Sequence, residues 1–282
     1  MRKLSKHNVN SIVIDNLNYH YISKGSGETI FLLHGFPDTA STWDGFIDVL
    51  SKNYHCIAPF LRGYSPTDIP QNSDYTVHTI ATDIHNIAKH LGIKSYSIIG
   101  HDWGASIAYA MTNMFQNEVK KVCTIGMPHP KYLKPSFKLL YKARHILYFM
   151  NKGKSVKRIK EKNFSYIEKL YKRWSPNWGN YHQNLESTIN GFNQPGRIEA
   201  ALGYYWALKN TDSKKSKIYK QLPQVPILVL VGEKDGTIVL SQFNKMELEL
   251  GALFKVKKHS NAGHFLHQED QSFCLSHILE FF

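Results

Sequence analysis

Residues 98–106 of this 282-residue chain are Ile98-Ile99-Gly100-His101-Asp102-Trp103-Gly104-Ala105-Ser106. The apolar run 96–99 predicts a short buried strand, and the run 105–111 predicts a helix. Two glycines flanking one residue at a strand-to-helix corner are typical of a nucleophile elbow, where the chain turns too sharply for neighbouring Cβ atoms. The pattern therefore predicts that Asp102 projects above a sheet, near the positive end of the helix.

A carboxylate, rather than the more common serine hydroxyl, occupies the centre of this elbow. When a carboxylate attacks an alkyl carbon it forms an ordinary ester, which water can cleave at the enzyme's own carbonyl. Asp102 thus indicates displacement at a saturated carbon, with an epoxide or a carbon–halogen bond as the natural substrate. The alternative is that Asp102 only caps the following helix, as aspartates often do.

Strands and helices alternate on both sides of the elbow. The patterns predict strands over 11–14, 19–22, 29–33, 55–58, 122–125, 227–231 and 253–257, and helices over 42–51 and 75–91. The first two strands form a hairpin, and the later alternation is typical of a right-handed, doubly wound α/β sheet. Because the alternation stops between 128 and 222, we expect a helical cap there, inserted over the carboxyl ends of the strands.

Two further loops supply groups that a carboxylate nucleophile needs. In the segment His34-Gly35-Phe36-Pro37, the glycine permits a tight turn. The proline favours an extended loop, and the peptide bond before it could be cis. The backbone N–H groups of Phe36 and Trp103 are candidates for an oxyanion hole.

A base that activates water, and an acid that orients the base, are the remaining requirements. Asp235 follows the predicted strand 227–231, with Glu233 as the alternative, and His264 follows the last predicted strand. The order nucleophile, acid, histidine is typical of this kind of fold. We therefore predict Asp235 as the orienting acid and His264 as the base.

Together these motifs resemble the epoxide hydrolase and haloalkane dehalogenase branch of the α/β-hydrolases. The loop 34–37 is similar to the HGxP motif, residues 100–104 to the GHDWG elbow, and Gly263-His264 to the histidine loop. The resemblance implies a mostly parallel, doubly wound sheet of eight strands with an inserted helical cap. It places the core domain at 1–127 and 223–282 and the cap at 128–222.

The resemblance also implies which groups open an epoxide. The segment 201–206 is similar to the family's LNYYR segment, with Trp206 in place of the arginine, and Tyr205 falls at the position of a ring-opening tyrosine. His145 falls where the family usually has a second tyrosine. Tyr148 and Tyr141 are alternative donors.

Contacts with the substrate are expected from His34, Pro37, Trp103 and Tyr148. The sequence favours an epoxide hydrolase, because Phe36 stands where many haloalkane dehalogenases have a halide-binding asparagine. A dehalogenase that uses the same nucleophile, and a non-catalytic binding protein on the same fold, remain alternatives. No metal or organic cofactor is expected.

The composition excludes several classes of protein. No apolar stretch approaches the length of a membrane span, and the basic N-terminus lacks the apolar segment of a signal peptide, which predicts a cytoplasmic protein. Cys56, Cys123 and Cys274 lie in apolar runs and are expected to be buried free thiols.

The formal net charge is +13, and residues 131–175 hold fourteen Lys and Arg against two Glu. This segment is either a solvated face of the protein or a region that attracts an anionic substrate or an anionic surface. No nucleic-acid partner is expected, and both a monomer and a homodimer are possible.

Overall fold

A single twisted sheet organises the backbone of the computed structural model, which describes residues 5–209, 218 and 220–282. The described residues form eight strands: β1 (Val9–Ile14), β2 (Leu17–Lys24), β3 (Thr29–Leu33), β4 (His55–Pro59), β5 (Tyr96–His101), β6 (Val119–Ile125), β7 (Ile227–Gly232) and β8 (Phe254–His259). They lie in the order β1-β2-β4-β3-β5-β6-β7-β8. The pairs β1–β2 and β2–β4 are antiparallel, and the remaining pairs are parallel. The predicted eight-stranded, mostly parallel sheet and its edge hairpin are confirmed.

Twelve α-helices surround the sheet in the part of the chain that is described. They are α1 (Asp44–Leu50), α2 (Val77–His90), α3 (Trp103–Met114), α4 (Phe137–Lys142), α5 (Arg144–Phe149), α6 (Lys152–Lys160), α7 (Ser165–Trp174), α8 (His182–Phe192), α9 (Arg197–Ala207), α10 (Leu240–Leu250), α11 (Leu266–Glu269) and α12 (Gln271–Phe281). The helix predicted over 42–51 begins instead as a 3₁₀ turn over Ala40–Trp43. The helix predicted over 75–91 begins two residues late because Thr76 is its N-cap, with its hydroxyl accepting from the Thr79 N–H at 3.3 Å.

The two faces of the sheet are both covered, as the apolar strands require. All five residues of β3 are buried. Phe31 and Leu33 belong to the apolar cluster that includes α2 and α3, whereas Ile30 and Leu32 belong to the cluster that includes α1 and α12. This alternation follows from the two-residue period of a strand. The neighbouring strand β5 is buried along its whole length.

Helices α4–α9 occupy the segment where the strand–helix alternation stops. Within the described part of that segment the regular structure consists of helices and a 3₁₀ turn. The helices bond to the loops that follow β3 and β4: the Tyr171 hydroxyl donates to Asp38 at 3.1 Å, and the Tyr204 hydroxyl donates to the Arg62 carbonyl at 2.9 Å. They thus lie at the carboxyl ends of the strands. The exact domain boundaries stay a prediction.

The basic segment is mostly a solvated face. Eleven of its fourteen cationic side chains are exposed, and the other three, Lys142, Arg144 and Arg173, are half-buried. The three cysteines are buried free thiols, as predicted. Of the helices described, none has the length and apolar character needed to cross a membrane.

Candidate active site

Asp102 stands at a sharp corner between β5 and α3. Its backbone has φ 52° and ψ −114°, in the region that side chains other than glycine seldom adopt. The flanking glycines are required, because a Cβ at Gly100 would lie 2.4 Å from the Gly104 carbonyl oxygen. The Asp102 side chain makes no capping hydrogen bond to α3. Its position therefore supports an elbow rather than the alternative of a simple helix cap.

Gly104 provides a direct test of how tightly the elbow is packed. A Cβ at this position would lie 2.0 Å from the Leu33 carbonyl oxygen, which belongs to the neighbouring strand. We expect Gly104→Ala to lower the free energy of unfolding by about 3 kcal/mol, although alanine is the better helix former. Gly153→Ala is the control, since a Cβ there meets nothing within 4 Å and should stabilise α6 by up to about 1 kcal/mol. Urea denaturation measures both changes, and equal effects would contradict a packed elbow.

The loop after β3 fixes the carboxylate of Asp102. The Phe36 N–H donates to Asp102 Oδ1 at 2.8 Å, and the Phe36–Pro37 peptide bond is cis. Gly35 allows this approach, because a Cβ there would lie 2.5 Å from Asp102 Oδ1. The Trp103 N–H belongs to the first turn of α3, whose N–H groups have no partner inside the helix. The Phe36 N–H thus contacts the Asp102 carboxylate, and the participation of the Trp103 N–H in an oxyanion hole stays a prediction.

His264 lies between two carboxylates. Its Nδ1 is 2.9 Å from Asp235 Oδ2, and its Nε2 is 3.6 Å from Asp102 Oδ2. Asp235 is 1% exposed and also accepts from the Thr237 N–H at 2.6 Å, whereas Glu233 is exposed. The structure therefore brings Asp235, and not Glu233, to the histidine.

The charges of this cluster depend on one another. Burial lowers the pKa of His264, but Asp235 and Asp102 outweigh burial and raise it to about 10. Burial raises the pKa of Asp102, but the His264 ring outweighs burial and holds that pKa below its usual value. The resting site therefore contains an imidazolium between two carboxylates.

Tyr205 and His145 lie on the helices above the elbow of Asp102. The Tyr205 ring, on α9, lies 5.5 Å from the Phe36 ring and 5.2 Å from the Trp103 ring. The His145 ring, on α5, lies 6.2 Å from the Tyr205 ring, and its Nδ1 is buried without a hydrogen-bond partner among the described residues. Burial raises the pKa of Tyr205 well above 10 and lowers the pKa of His145 well below 6.5. Both side chains are therefore neutral.

The alternative tyrosines do not reach this cluster. The Tyr148 hydroxyl donates to the Lys154 carbonyl at 3.2 Å, and the Tyr148 ring packs on Tyr166. Tyr141 is 69% exposed and lies beneath the Arg144 guanidinium. The Tyr148 hydroxyl is thus bonded to a backbone carbonyl, and its predicted contact with the substrate stays a prediction.

His34, a predicted substrate contact, is a buried residue that bonds to a neighbouring loop. It is fully buried, its Nε2 accepts from the Leu61 N–H at 3.0 Å, and burial lowers its pKa to about 4. These contacts join the loop after β3 to the loop after β4, and the predicted contact of His34 with the substrate stays a prediction. Pro37 is buried, and its carbonyl accepts from the Thr188 hydroxyl at 3.4 Å. Trp103 keeps a buried indole Nε1 that has no partner among the described residues.

The site also contains two aromatic residues that were not predicted from the sequence. Tyr64 has a buried hydroxyl with no partner in the described structure, and its ring lies 4.7 Å from the His34 ring. The Trp174 ring lies 4.7 Å from His145 and 5.2 Å from His264. The loop after β4, at the ligand-binding end of the sheet, was an available signal for Tyr64. Trp174 carries no comparable signal.

One buried group has the residue types of a metal site. Asp38, His101 and His267 each offer a ligand atom within 4.8 Å of the others. Both carboxylate oxygens of Asp38 already accept, from the hydroxyls of Tyr171 and Thr42. His101 donates towards the His264 carbonyl at 2.9 Å. The group therefore has a structural role behind His264, and the absence of a metal cofactor stays a prediction.

Comparisons with known proteins agree with this geometry. A family model described as the alpha/beta hydrolase fold matches residues 28–271. Epoxide hydrolase 4 of Homo sapiens is 27% identical over 271 residues, which cover 90% of this chain and 72% of the relative. The soluble epoxide hydrolase of Corynebacterium sp. (strain C12) is 25% identical over 279 residues, which cover 96% of this chain and 95% of the relative. A crystal structure of a mutant epoxide hydrolase from Bacillus megaterium has a TM-score of 0.84 and 25% identity, covering 96% of this chain and 99% of that chain.

The family match extends over most of the chain and includes both the elbow and the histidine loop. The resemblance to epoxide hydrolases that the motifs indicated is thereby confirmed. These similarities support a hydrolase rather than the alternative of a non-catalytic binding protein. This chain belongs to the alpha/beta hydrolase fold family and is a hydrolase.

Proposed function

We propose that the chain is an epoxide hydrolase that converts a small-molecule epoxide to a vicinal diol through an ester on Asp102. The arrangement of the Asp102 carboxylate carries this proposal. One of its oxygens is held by the Phe36 N–H at 2.8 Å, and the other lies 3.6 Å from His264 Nε2. A fixed carboxylate beside a histidine suits alkylation followed by hydrolysis.

In the first step an oxygen of Asp102 attacks one epoxide carbon, and the carbon–oxygen bond of the ring breaks. The leaving oxygen needs a proton, which the Tyr205 hydroxyl donates. Because burial keeps this hydroxyl protonated, it is available as a donor. The neutral His145 ring is placed beside Tyr205 to hold the same oxygen.

In the second step water attacks the ester carbonyl of Asp102. Esterification removes the negative charge of Asp102, which contributes to the raised pKa of the His264 ring, so the imidazolium gives its proton through solvent to the Tyr205 oxygen that was deprotonated in the first step. The neutral His264 ring then takes a proton from the attacking water. The N–H groups of Phe36 and Trp103 stabilise the oxyanion. Collapse of the oxyanion breaks the ester bond, and the departing alkoxide takes the proton of the added hydroxyl. This releases the diol, restores the Asp102 carboxylate and leaves His264 as the imidazolium of the resting site.

Tyr205→Phe removes the proposed proton donor and keeps the ring. We expect the rate of epoxide opening to fall by about 10²- to 10⁴-fold, the usual contribution of a general acid. Tyr204→Phe is the matched control, because the Tyr204 hydroxyl donates to a backbone carbonyl instead. Single-turnover kinetics of ester formation measure the effect. If both variants lose the same activity, Tyr205 has a packing role.

A haloalkane dehalogenase is the second candidate, and one observation favours it. The indole Nε1 of Trp103 is buried beside Asp102 without a partner among the described residues, and an N–H donor of this kind can stabilise a departing halide. A panel of epoxides and bromoalkanes, with diol and bromide both quantified, separates the two reactions. Tyr205→Phe should leave bromide release nearly unchanged, because a halide needs no proton.

A further inference from the structure

Helix α4 carries apolar residues, but none of its six residues is buried. Each of the other eleven α-helices that the structure describes has at least two buried residues. Phe137 is 94% exposed, Leu140 is 49% exposed and Tyr141 is 69% exposed. These three residues follow the spacing i, i+3, i+4, which places them on one side of the helix. This side of α4 therefore lacks the tertiary packing that usually stabilises a short helix.

A fourth exposed apolar residue lies on the next helix. Leu147, on α5, is 61% exposed, and α5 begins at Arg144, two residues after the end of α4. Ten large apolar residues are exposed in the described structure, and four of them lie within 137–147. Single exposed apolar residues are common on proteins, whereas a group of them marks an interaction site. The outer face of α4 and α5 is the name given below to Phe137, Leu140, Tyr141 and Leu147.

The chain around the outer face of α4 and α5 is strongly cationic. Residues 131–160 hold ten Lys and Arg and no Asp or Glu. Lys134 and Lys138 are exposed and form no salt bridge with any residue that the structure describes. Glu249, which reaches this part of the chain from α10, already accepts from the Tyr132 hydroxyl at 2.9 Å and pairs with a lysine of its own helix. These contacts do not neutralise the cations, so the partner of this surface must be anionic.

Charge and shape together favour a lipid bilayer as this partner. A second copy of the chain, with a formal net charge of +13, would bring two cationic segments together. An acidic protein would need a matching pocket for each projecting apolar side chain, whereas the hydrocarbon of a bilayer accepts such side chains in any arrangement. Apolar residues interspersed with lysines are typical of helices that lie in the interface of anionic membranes.

We propose that the outer face of α4 and α5 docks on the surface of an anionic lipid bilayer. The four apolar side chains enter the boundary between head groups and acyl chains, and Lys134 and Lys138 contact the anionic head groups. This is attachment at the surface, because no helix in the described part of the chain could span the bilayer. The proposal is independent of the reaction assigned to Asp102.

Sedimentation of the full chain with lipid vesicles tests the contribution of charge. Vesicles of phosphatidylserine and phosphatidylcholine in equal parts should bind at least about tenfold more tightly than vesicles of phosphatidylcholine alone, and added salt should weaken the binding. The double variant Lys134→Gln, Lys138→Gln should bind the mixed vesicles about tenfold or more weakly. The control is Lys52→Gln, Lys94→Gln, because these exposed lysines precede β4 and β5 and lie at the end of the sheet opposite the helices α4–α9. It should bind within about twofold of the wild type.

A second pair of variants tests the contribution of the apolar side chains. Phe137→Ser should weaken binding to the mixed vesicles by about tenfold or more, because the ring no longer enters the acyl region. Val13→Ser is the control, since Val13 is 65% exposed but lies on β1, at the opposite edge of the sheet from β7 and β8. Both side chains are exposed, so we expect both variants to keep the wild-type Tm, and a loss of binding then cannot arise from unfolding.

Fluorescence quenching locates the surface that enters the bilayer. Phe137→Trp places an additional indole on the outer face of α4 and α5, and mixed vesicles with brominated acyl chains should quench the emission that this indole adds to that of the wild type. The emission added by Val13→Trp should not be quenched. Equal quenching of both indoles would overturn the proposed orientation.

Three results would overturn the proposal, and two of them identify another partner. The first is a failure of the wild type to bind the mixed vesicles. The second is binding to soluble polyglutamate that is as tight as binding to vesicles and is unaffected by Phe137→Ser, which would assign the cations to an acidic polypeptide. The third is a dimer in analytical ultracentrifugation that Phe137→Ser dissociates, which would assign the outer face of α4 and α5 to a second copy of the chain.

Discussion

His264→Gln is expected to stop the reaction halfway, with the substrate attached to the protein. Glutamine approximates the size of the histidine ring but cannot accept a proton from water. The first step uses Asp102 and Tyr205 and continues, so the ester accumulates. We expect steady-state turnover to fall by about 10³- to 10⁴-fold. Intact-protein mass spectrometry should show a gain equal to the mass of one epoxide, located on the peptide that contains residue 102.

His129→Gln is the control for the loss of a buried histidine. Its ring bonds to the Gln221 carbonyl and to the Lys131 N–H, and it has no contact with the candidate triad in the described structure. This variant should turn over normally and carry no adduct. The two-step scheme would be contradicted if His264→Gln formed diol at the wild-type rate, or if it formed no adduct with any epoxide in the panel. Turnover in ¹⁸O-water gives an independent check, because the label should enter the Asp102 side chain first.

The candidate triad was predictable because each member follows a parallel strand. Asp102, Asp235 and His264 come after β5, β7 and β8, and the carboxyl ends of parallel strands meet at one edge of a sheet. A residue that directly follows one of these strands is therefore expected to lie at this edge of the sheet. The elbow was predictable for a different reason, since two glycines around one residue reflect a steric requirement that is visible locally.

No comparable rule applies to the helices above the sheet. On the six-residue α5, His145 and Phe149 are buried, whereas the hydroxyl of Tyr148 turns away to the Lys154 carbonyl. Such a short helix gives too few residues for its period to identify the inward face. Trp174 was missed because its approach to His145 and His264 is a property of the tertiary structure. Its residue type and its neighbours in sequence are those of an ordinary packing residue.

Asp102→Ala is expected to remove covalent chemistry altogether. Without the carboxylate no ester forms, so the double variant Asp102→Ala, His264→Gln should carry no adduct under conditions where His264→Gln is fully labelled. Diol formation should fall by at least about 10⁴-fold, because nucleophile and base act as one unit. Asp48→Ala is the control, since Asp48 is a half-exposed carboxylate paired only at the surface. An adduct on the double variant would place the nucleophile elsewhere.

The same substitution tests the electrostatic coupling in the resting site. Removing Asp102 takes away one of the two carboxylates that hold the pKa of His264 near 10, so that pKa should fall, while Asp235 still supports it. Because the pKa of His264 is higher in the folded state than its unfolded value of about 6.5, protonation of His264 stabilises the fold. This stabilisation is complete below about pH 6.5 and is lost as the pH rises through the folded-state pKa. Between about pH 7 and about pH 10 the free energy of unfolding should therefore decrease more for the wild type than for Asp102→Ala. Asp48→Ala should follow the wild type. NMR titration of the His264 ring measures the pKa directly, and an unchanged value in Asp102→Ala would mean that Asp235 alone maintains the imidazolium.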